Sequence, residues 1–123
     1  MIRFGLAAVV AVALVRVTQS ASASEADTGR ASFATCAVCH GTTAGARSVG
    51  PSLFGVVGRR AGQFSAPAPS PALANSGKVW TAQELDRFLA SPARAIPGNR
   101  MAFAGISDPA KRRAIIDYLV SLK

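Results

Sequence analysis

Residues 36–40 read Cys36-Ala37-Val38-Cys39-His40, a C-x-x-C-H pattern in which two thiols are followed at once by an imidazole. The spacing of three positions brings both thiols to one side of a helix end. This pattern is typical of c-type haem attachment, in which each thiol forms a thioether with the haem and the histidine ligates its iron. The chain has two cysteines and one histidine in all, so its thiols and its imidazole are concentrated here.

Paired cysteines also serve other chemistries, and three of these remain open at the level of the sequence. A thioredoxin-like dithiol belongs to a βαβ context, which is not predicted here, and it leaves His40 without a role. A zinc ion needs four ligands, and beyond the motif only six scattered acidic residues are available. A structural disulfide between Cys36 and Cys39 has poor geometry because the loop is so short.

The composition predicts one small domain with a thin apolar core. The chain has 123 residues. Alanine makes up much of its hydrophobic share of 50%, and aromatic residues make up only 7%. A domain of this size with few bulky side chains buries little surface on folding. We therefore expect a disulfide, a metal or a cofactor to supply part of its stability.

Residues 1–23 are predicted to be a cleaved signal peptide, and residues 24–123 a single domain. Arg3 gives a positive start, an apolar run follows over residues 4–15, and Ala21-Ser22-Ala23 is an A-x-A cleavage site. As a helix the apolar run reaches about 18 Å, which is short of the ~30 Å core of a bilayer. We therefore expect export to a bacterial periplasm and no stable insertion into the membrane.

The rest of the chain predicts helices joined by long loops, without a confident strand. Three helices are expected: over residues 24–38, from the capping box Thr81-x-x-Glu84 to Pro92, and from Asp108-Pro109 to about residue 122. Residues 41–79 are rich in glycine and proline and show no periodicity. A loop this long is unusual in a compact domain, unless it wraps a ligand as large as a porphyrin.

Met101 is the candidate for the second axial ligand of the haem iron. Met1 leaves with the predicted leader, so Met101 is then the one remaining methionine, and it follows a Pro97-Gly98 turn. A methionine can also simply fill a gap in a core, and the lysines at positions 78, 111 and 123 are the plausible substitutes as ligands. Ligation by histidine and methionine raises the reduction potential and leaves no open position on the iron.

Ordered blocks of residues surround the motif along nearly the whole chain. They are Gly29 and Phe33; Gly50-Pro51-x-Leu53-x-Gly55-x-x-Gly58-Arg59; Ser70-Pro71-Ala72-Leu73-Ala74-Asn75-Ser76-Gly77-x-x-Trp80; Phe88-Leu89-x-x-Pro92; Pro97-Gly98-x-x-Met101-x-Phe103; and Arg112-x-x-Ile115-x-x-Tyr118-Leu119. In this order they resemble class I cytochrome c, close to bacterial cytochrome c2 and mitochondrial cytochrome c. The resemblance implies an all-α cytochrome c fold, with three main helices and long loops wrapped around one covalently bound haem c.

The resemblance also implies roles for individual residues. The carbonyl of Pro51 is expected to accept a hydrogen bond from the His40 ring and so to fix the imidazole. Arg59 and Trp80 are expected to lie near a buried haem propionate, and Phe103 to cover the haem edge. The first and last helices are expected to approach closely at Gly29 and Tyr118.

Two departures from the family's pattern concern tuning rather than ligation. Pro69 stands where the family usually has a tyrosine, after an apparent two-residue extension in residues 66–69, so a hydroxyl donor to a propionate is missing. Phe88 stands where a tyrosine is often found, so a hydroxyl near the iron-bound sulfur is missing too. Both changes are expected to alter the reduction potential and the stability of the distal loop.

These observations predict a monomeric periplasmic electron carrier rather than an enzyme. The one histidine is committed to iron, and no other side chain resembles a catalytic base or nucleophile. The formal net charge of +8 favours redox partner proteins with acidic docking faces, attracted by Arg47, Arg60, Arg94 and Arg100. The basic residues are scattered and lack interleaved aromatic residues, which argues against nucleic acid as a partner.

Two other functions stay open. If Met101 is bound weakly or displaced, the open iron makes the protein a gas sensor or a peroxidase, and binding of an exogenous ligand distinguishes this case. The protein could instead be a cytochrome subunit of a larger dehydrogenase or oxidase, and a stable complex on gentle purification distinguishes that one.

Overall fold

The computed structural model describes the backbone of residues 20–123 and the side chains from Glu25 onward. This part of the chain contains five helices: α1 (Ser20–Ala37), α2 (Pro71–Ala74), α3 (Ala82–Ala90), α4 (Pro92–Ala95) and α5 (Pro109–Ser121). Its only β pairing among these residues is an isolated antiparallel bridge between Arg60 and Val79. The predicted all-α fold with long loops is therefore confirmed.

The predicted signal peptide lies outside the described residues, apart from residues 20–23, whose backbone begins α1. The helix therefore starts before the predicted Ser24 and ends at Ala37, because the residues before the predicted cleavage site continue the same helix in this chain. Over residues 20–123, no helix is both long enough and apolar enough to cross a membrane.

The helix starts predicted at Thr81 and Asp108 are confirmed. Thr81 Oγ1 accepts a hydrogen bond from the Glu84 N–H at 3.1 Å where α3 begins. Asp108 Oδ1 accepts one from the Ala110 N–H at 2.9 Å where α5 begins. These bonds satisfy N–H groups that the first turn of a helix leaves unpaired. The short helix α2 was not predicted, and it begins with a similar cap from Ser70.

Helices α1 and α5 approach each other closely at Gly29. A Cβ atom built on Gly29 would lie 2.6 Å from the carbonyl oxygen of Ala114 and 3.1 Å from Cβ of Tyr118. Four residues further along α1, the ring of Phe33 packs on the ring of Tyr118, with centroids 5.0 Å apart. The contact expected between Gly29 and Tyr118 is therefore present. It fixes the position of α1 relative to α5.

The core joins the helices to the loops. Its buried apolar residues are Phe33, Val56, Ala61, Trp80, Leu85, Phe88, Leu89, Ile96, Ile115, Ile116 and Leu119. Trp80 precedes α3 and packs against Phe88, with ring centroids 4.9 Å apart. Helix α3 is also tied to α5 by the ion pair between Arg112 Nε and Asp86 Oδ1 at 2.7 Å. Several core residues thus come from loops rather than helices.

Replacement of Gly29 by alanine is expected to destabilise the haem-loaded protein by about 2 kcal/mol, because overpacking a tight contact costs more than the helix propensity of alanine returns. Denaturant unfolding followed by circular dichroism measures the change. The exposed neighbour Arg30 provides the control, since Arg30→Ala should stay within about 0.5 kcal/mol of the wild type. A Gly29→Ala protein as stable as the Arg30→Ala protein would contradict the close crossing of α1 and α5.

Candidate functional site

Cys36 and Cys39 lie at the end of α1 as free, partly exposed thiols. The carbonyl of Cys36 accepts hydrogen bonds from the N–H of Cys39 at 3.1 Å and from the N–H of His40 at 2.9 Å. These two bonds end the helix in a tight turn that keeps the whole motif compact. The two thiols therefore lie at the same helix end, and both are unpaired and available for covalent attachment.

The electrostatics at Cys36 do not fit a dithiol oxidoreductase. Burial raises the pKa of the Cys36 thiol, and a backbone hydrogen bond and the charge of Lys111 oppose this only in part. Redox-active cysteines of the thioredoxin type instead have lowered pKa values, which keep the thiolate ready to react. Across the residues that the structure describes, no group of three His, Cys, Asp or Glu side chains could hold a metal ion, so the zinc alternative finds no ligand set there.

The His40 ring is oriented by the backbone of the following loop. Its Nδ1 lies 2.7 Å from the carbonyl oxygen of Pro51, so Nδ1 carries the proton and donates it. The lone pair of the neutral imidazole is then on Nε2, which is the atom left to ligate a metal. The structure thus brings together Cys36, Cys39, His40 and Pro51, as the sequence predicted for this side of the site.

Gly50 allows this close approach of the loop to the ring. Its N–H donates to the Cys39 carbonyl at 2.7 Å, and a Cβ atom at this position would lie 2.6 Å from Cε1 of His40. Any larger residue would push the loop or the ring aside. Gly50 appeared in the sequence only as part of a matching block, and its contact with the ring depends on folding that the sequence pattern does not display.

Arg59 and Trp80 are adjacent in the fold. The Trp80 N–H donates to the Arg59 carbonyl at 2.9 Å, beside the bond from the Gly58 N–H to the Trp80 carbonyl at 2.8 Å. The Arg59 guanidinium donates to the carbonyls of Ser52 at 3.0 Å and Phe54 at 3.3 Å. These carbonyls lie one and three residues after Pro51, so Arg59 also stabilises the loop that orients His40.

Two donors in this region have capacity for a further acceptor. Partial burial lowers the pKa of the Arg59 guanidinium, and within residues 25–123 it forms no ion pair with a carboxylate. Trp80 is 7% exposed, yet no described residue accepts from its indole N–H, and that nitrogen is not sealed from solvent. An anionic group could be held between these two side chains.

Met101 lies on a separate segment that follows α4. The Asn99 N–H donates to the Ile96 carbonyl at 3.1 Å and Gly98 has φ +86°, as in the predicted type II turn at Pro97-Gly98. Met101 is half-buried and packs against the core. Its backbone N–H donates to Oδ1 of Asn99 at 2.9 Å, a contact that the sequence analysis missed.

Phe103 lies near Met101 on the same segment, and its N–H donates to the Met101 carbonyl at 2.9 Å. Its half-buried side chain lines a cavity of about 380 Å³ between the end of α1, this segment and the start of α5. Thr35, just before the C-x-x-C-H motif, and Lys111 line the same cavity. The cavity therefore lies between the segment that follows Met101 and the last part of α1.

These residues fit a covalently bound haem. The helix end offers two free thiols and an oriented imidazole, and the sequence-distant segment offers a thioether. Apolar side chains that are only partly buried lie around the core, among them Leu53, Val57, Leu73, Met101 and Ile106. Incompletely covered apolar groups beside free thiols are what an apolar ring attached at Cys36 and Cys39 would cover.

Comparison with known proteins identifies relatives of one kind. The family model described as cytochrome c matches residues 26–123. Cytochrome c2 iso-2 of Magnetospirillum molischianum is 45% identical over 93 residues, which cover 76% of this chain and 96% of that protein. Cytochrome c2 of Agrobacterium tumefaciens (strain II Chrys) is 43% identical over 96 residues, which cover 75% and 86%.

A solved structure is similar as well. Cytochrome cH from Methylobacterium extorquens superposes with a TM-score of 0.72 at 43% sequence identity, covering 78% of this chain and 97% of that one. The family match over residues 26–123 includes the loops that carry the site.

Replacement of both Cys36 and Cys39 by alanine is expected to abolish covalent retention of haem, because no other cysteine is available. Haem staining of the protein on a denaturing gel measures this, and the double variant should show no stained band. The matched controls are the two single variants, each of which keeps one thiol and should keep some stain. A stained band from the double variant would contradict attachment through these residues.

Proposed function

The chain belongs to the cytochrome c family, and we propose that it is a periplasmic one-electron carrier whose haem iron is held between His40 and Met101. The family and the C-x-x-C-H motif give it one covalently bound haem c and a role in electron transport. When bound, the haem supplies an iron that gains and loses one electron. The residues of the chain determine how that iron is held and which partners approach it.

His40 is the proximal ligand in this proposal. The hydrogen bond from Nδ1 to the Pro51 carbonyl at 2.7 Å directs Nε2 away from the loop and makes it a better electron donor to a metal. Since Gly50 lies against the ring, rotation of the imidazole is restricted as well. An imidazole held in this way would keep its orientation when the iron gains or loses an electron.

Met101 is the distal ligand. It is the one methionine that remains after cleavage of the predicted leader, and its half-buried side chain packs against the core rather than projecting into solvent. Its backbone is held by Asn99 at 2.9 Å. A thioether ligand from Met101, together with the His40 imidazole, would favour ferrous iron and so raise the reduction potential.

Arg59 and Trp80 hold a propionate group. Burial of a carboxylate is expensive unless charged and hydrogen-bonding partners compensate it, and these two residues offer a guanidinium without a carboxylate partner among the described residues and an accessible indole N–H. Phe103 is half-buried on the same segment as Met101, and it covers the haem edge in this proposal.

The absence of two hydroxyl groups alters the reduction potential of this site and the stability of its distal loop. Phe88 is buried against Trp80, so the α3 side of the distal segment presents a ring without a donor to the methionine sulfur. Pro69 is half-buried at the start of the Ser70 cap and offers no donor to a propionate. Both replacements remove polar contacts near the haem and leave every ligand in place.

Ligation by both His40 and Met101 would leave no open position on the iron, which favours a carrier over a gas sensor or a peroxidase, since those functions need an open iron. No residue is proposed to act as a catalytic base or nucleophile. The protein acts as a free monomer, rather than as a subunit of a larger dehydrogenase or oxidase, after the predicted leader at residues 1–23 has directed it to the periplasm.

The observation that carries the proposal is the His40–Pro51 hydrogen bond beside two free thiols. The experiment is the visible spectrum of the exported, haem-loaded protein, oxidised and reduced, before and after addition of carbon monoxide. We expect a far-red iron–sulfur band in the ferric form and a ferrous spectrum that carbon monoxide leaves unchanged.

The Met101→Ala variant is the control, because it should lose the far-red band and bind carbon monoxide readily while retaining its haem. Ready binding of carbon monoxide by the wild type, without the far-red band, would instead support a ligand-binding function and contradict the proposed carrier.

The partners are proposed to be redox proteins with acidic docking faces. Arg47, Arg60, Arg94 and Arg100 are all exposed, and the chain carries a formal net charge of +8. Charges of this kind steer encounter over about one Debye length, which is only about 8 Å at physiological ionic strength. Docking should therefore depend strongly on salt.

Salt is expected to change electron-transfer rates in opposite directions for probes of opposite charge. The rate with an anionic oxidant such as hexacyanoferrate(III) should fall as ionic strength rises, and the rate with a cationic cobalt complex should rise. Arg100→Gln should lower the low-salt rate with the anion by roughly two- to fivefold, and Arg30→Gln on α1 by less. Stopped-flow kinetics measure these rates, and rates indifferent to salt with both probes would exclude steering.

A further inference from the structure

The segment that carries Met101 is anchored by polar contacts at both of its ends. It runs from the Pro97-Gly98 turn to Ser107, between α4 and α5. Between the two anchored ends, its backbone forms one short-range hydrogen bond, from the Phe103 N–H to the Met101 carbonyl at 2.9 Å. The contacts at the two ends therefore constrain the position of the Met101 backbone.

At the far end, the segment is fixed to α3 and α5. The Ile106 N–H donates to the Leu89 carbonyl at 2.8 Å. The Arg112 guanidinium, whose side chain is 13% exposed, donates to the carbonyls of Ile106 at 2.9 Å and Ser107 at 3.0 Å, while it also pairs with Asp86. This end is held by several independent contacts.

At the near end, the turn bond from the Asn99 N–H to the Ile96 carbonyl at 3.1 Å is joined by three hydrogen bonds of the Asn99 side chain. Asn99 Nδ2 donates to the Pro92 carbonyl at 2.8 Å and to the Ile96 carbonyl at 2.8 Å, and Asn99 Oδ1 accepts from the Met101 N–H at 2.9 Å. The orientation of the amide is determined by its partners, because two are carbonyls that need donors and one is an N–H that needs an acceptor. The amide thus donates two hydrogen bonds and accepts one.

We propose that Asn99 is the positioning residue for Met101: its amide ties the backbone of the ligand to both ends of α4 and thereby limits displacement of the thioether from the iron. This inference rests on the proposed function, in which Met101 is the distal ligand. Asn99 touches neither the iron nor a substrate, and it acts only through Met101.

The position of Asn99 matters more in this chain because Phe88 carries no hydroxyl. A hydrogen bond to the methionine sulfur from that side is therefore not available, and the sulfur depends on the placement of its own backbone. The Pro92 carbonyl belongs to the short helix α4, and Ile96 directly follows that helix. The Pro92 side chain is fully buried. Asn99 thus links Met101 to one of the best-packed points in the core.

The test uses the haem-loaded protein and two variants, Asn99→Ala and Asn99→Ser. The first measurement is the affinity of the ferric protein for imidazole, which must displace Met101 to bind. Loss of the amide should raise this affinity roughly tenfold, since each net hydrogen bond contributes modestly and three are lost. The second measurement is hydrogen exchange at the Met101 N–H. Its rate should increase by at least the same factor, roughly tenfold.

Asn99→Ser tests the positioning role by partial rescue. A serine hydroxyl can accept from the N–H two residues further along the chain, so it should restore protection of the Met101 N–H and part of the resistance to imidazole. A purely structural role in α4 does not predict recovery at that one amide.

Two control variants separate positioning from general destabilisation. Asn75→Ala removes the same group from an exposed position after α2. Thr81→Ala removes the cap of α3 and should cost about 1 kcal/mol of global stability. Neither should change the affinity for imidazole by more than about twofold.

An Asn99→Ala protein whose affinity for imidazole stays within twofold of the wild type would overturn the proposal, as would an equal increase in Thr81→Ala. These outcomes are distinct from failure of the proposed function. In that case the wild type itself would bind imidazole freely and lack the far-red band, before any variant is compared.

Discussion

The hydrogen bond from the His40 ring to the Pro51 carbonyl at 2.7 Å spans eleven positions of the chain and fixes the helix end to the loop behind it. Neighbouring bonds reinforce it, from the Gly50 N–H to the Cys39 carbonyl and from the Leu53 N–H to the Gly41 carbonyl. The orientation of the imidazole, and hence of any ring attached at the two thiols, depends on this set of contacts.

Other parts of the site are arranged around the same loop. The Arg59 guanidinium braces the carbonyls that follow Pro51, and the backbone of Arg59 pairs with Trp80, which leads into α3. The loop is also tied to the C-terminal end of α5 by the bond from the Gly55 N–H to the Leu122 carbonyl at 2.7 Å. A few backbone hydrogen bonds therefore connect the loop beside the motif with Trp80 and with the end of α5. The Met101 segment is held by other contacts.

Local signals in the sequence predicted much of this structure, and long-range contacts account for what was missed. The caps at Thr81 and Asp108 depend on neighbours within one helical turn, so the sequence displays them directly. The resemblance supplied the approach at Gly29, which no local pattern specifies. The contact of Gly50 with the His40 ring and the bonds of Asn99 depend on which segments meet in space, and a single sequence does not display that. Likewise, α2 has only four residues and no periodicity to detect.

We propose that Met101 ligates the haem iron together with His40. The most direct measurement is the proton NMR spectrum of the ferrous, processed protein labelled at the methionine methyl group, since Met101 is then its one methionine. A methyl group bound over the haem plane lies in the ring current, so we predict one resonance shifted strongly upfield, beyond the range of ordinary methyl groups. A single methyl resonance at the position of an unligated methionine would contradict the account.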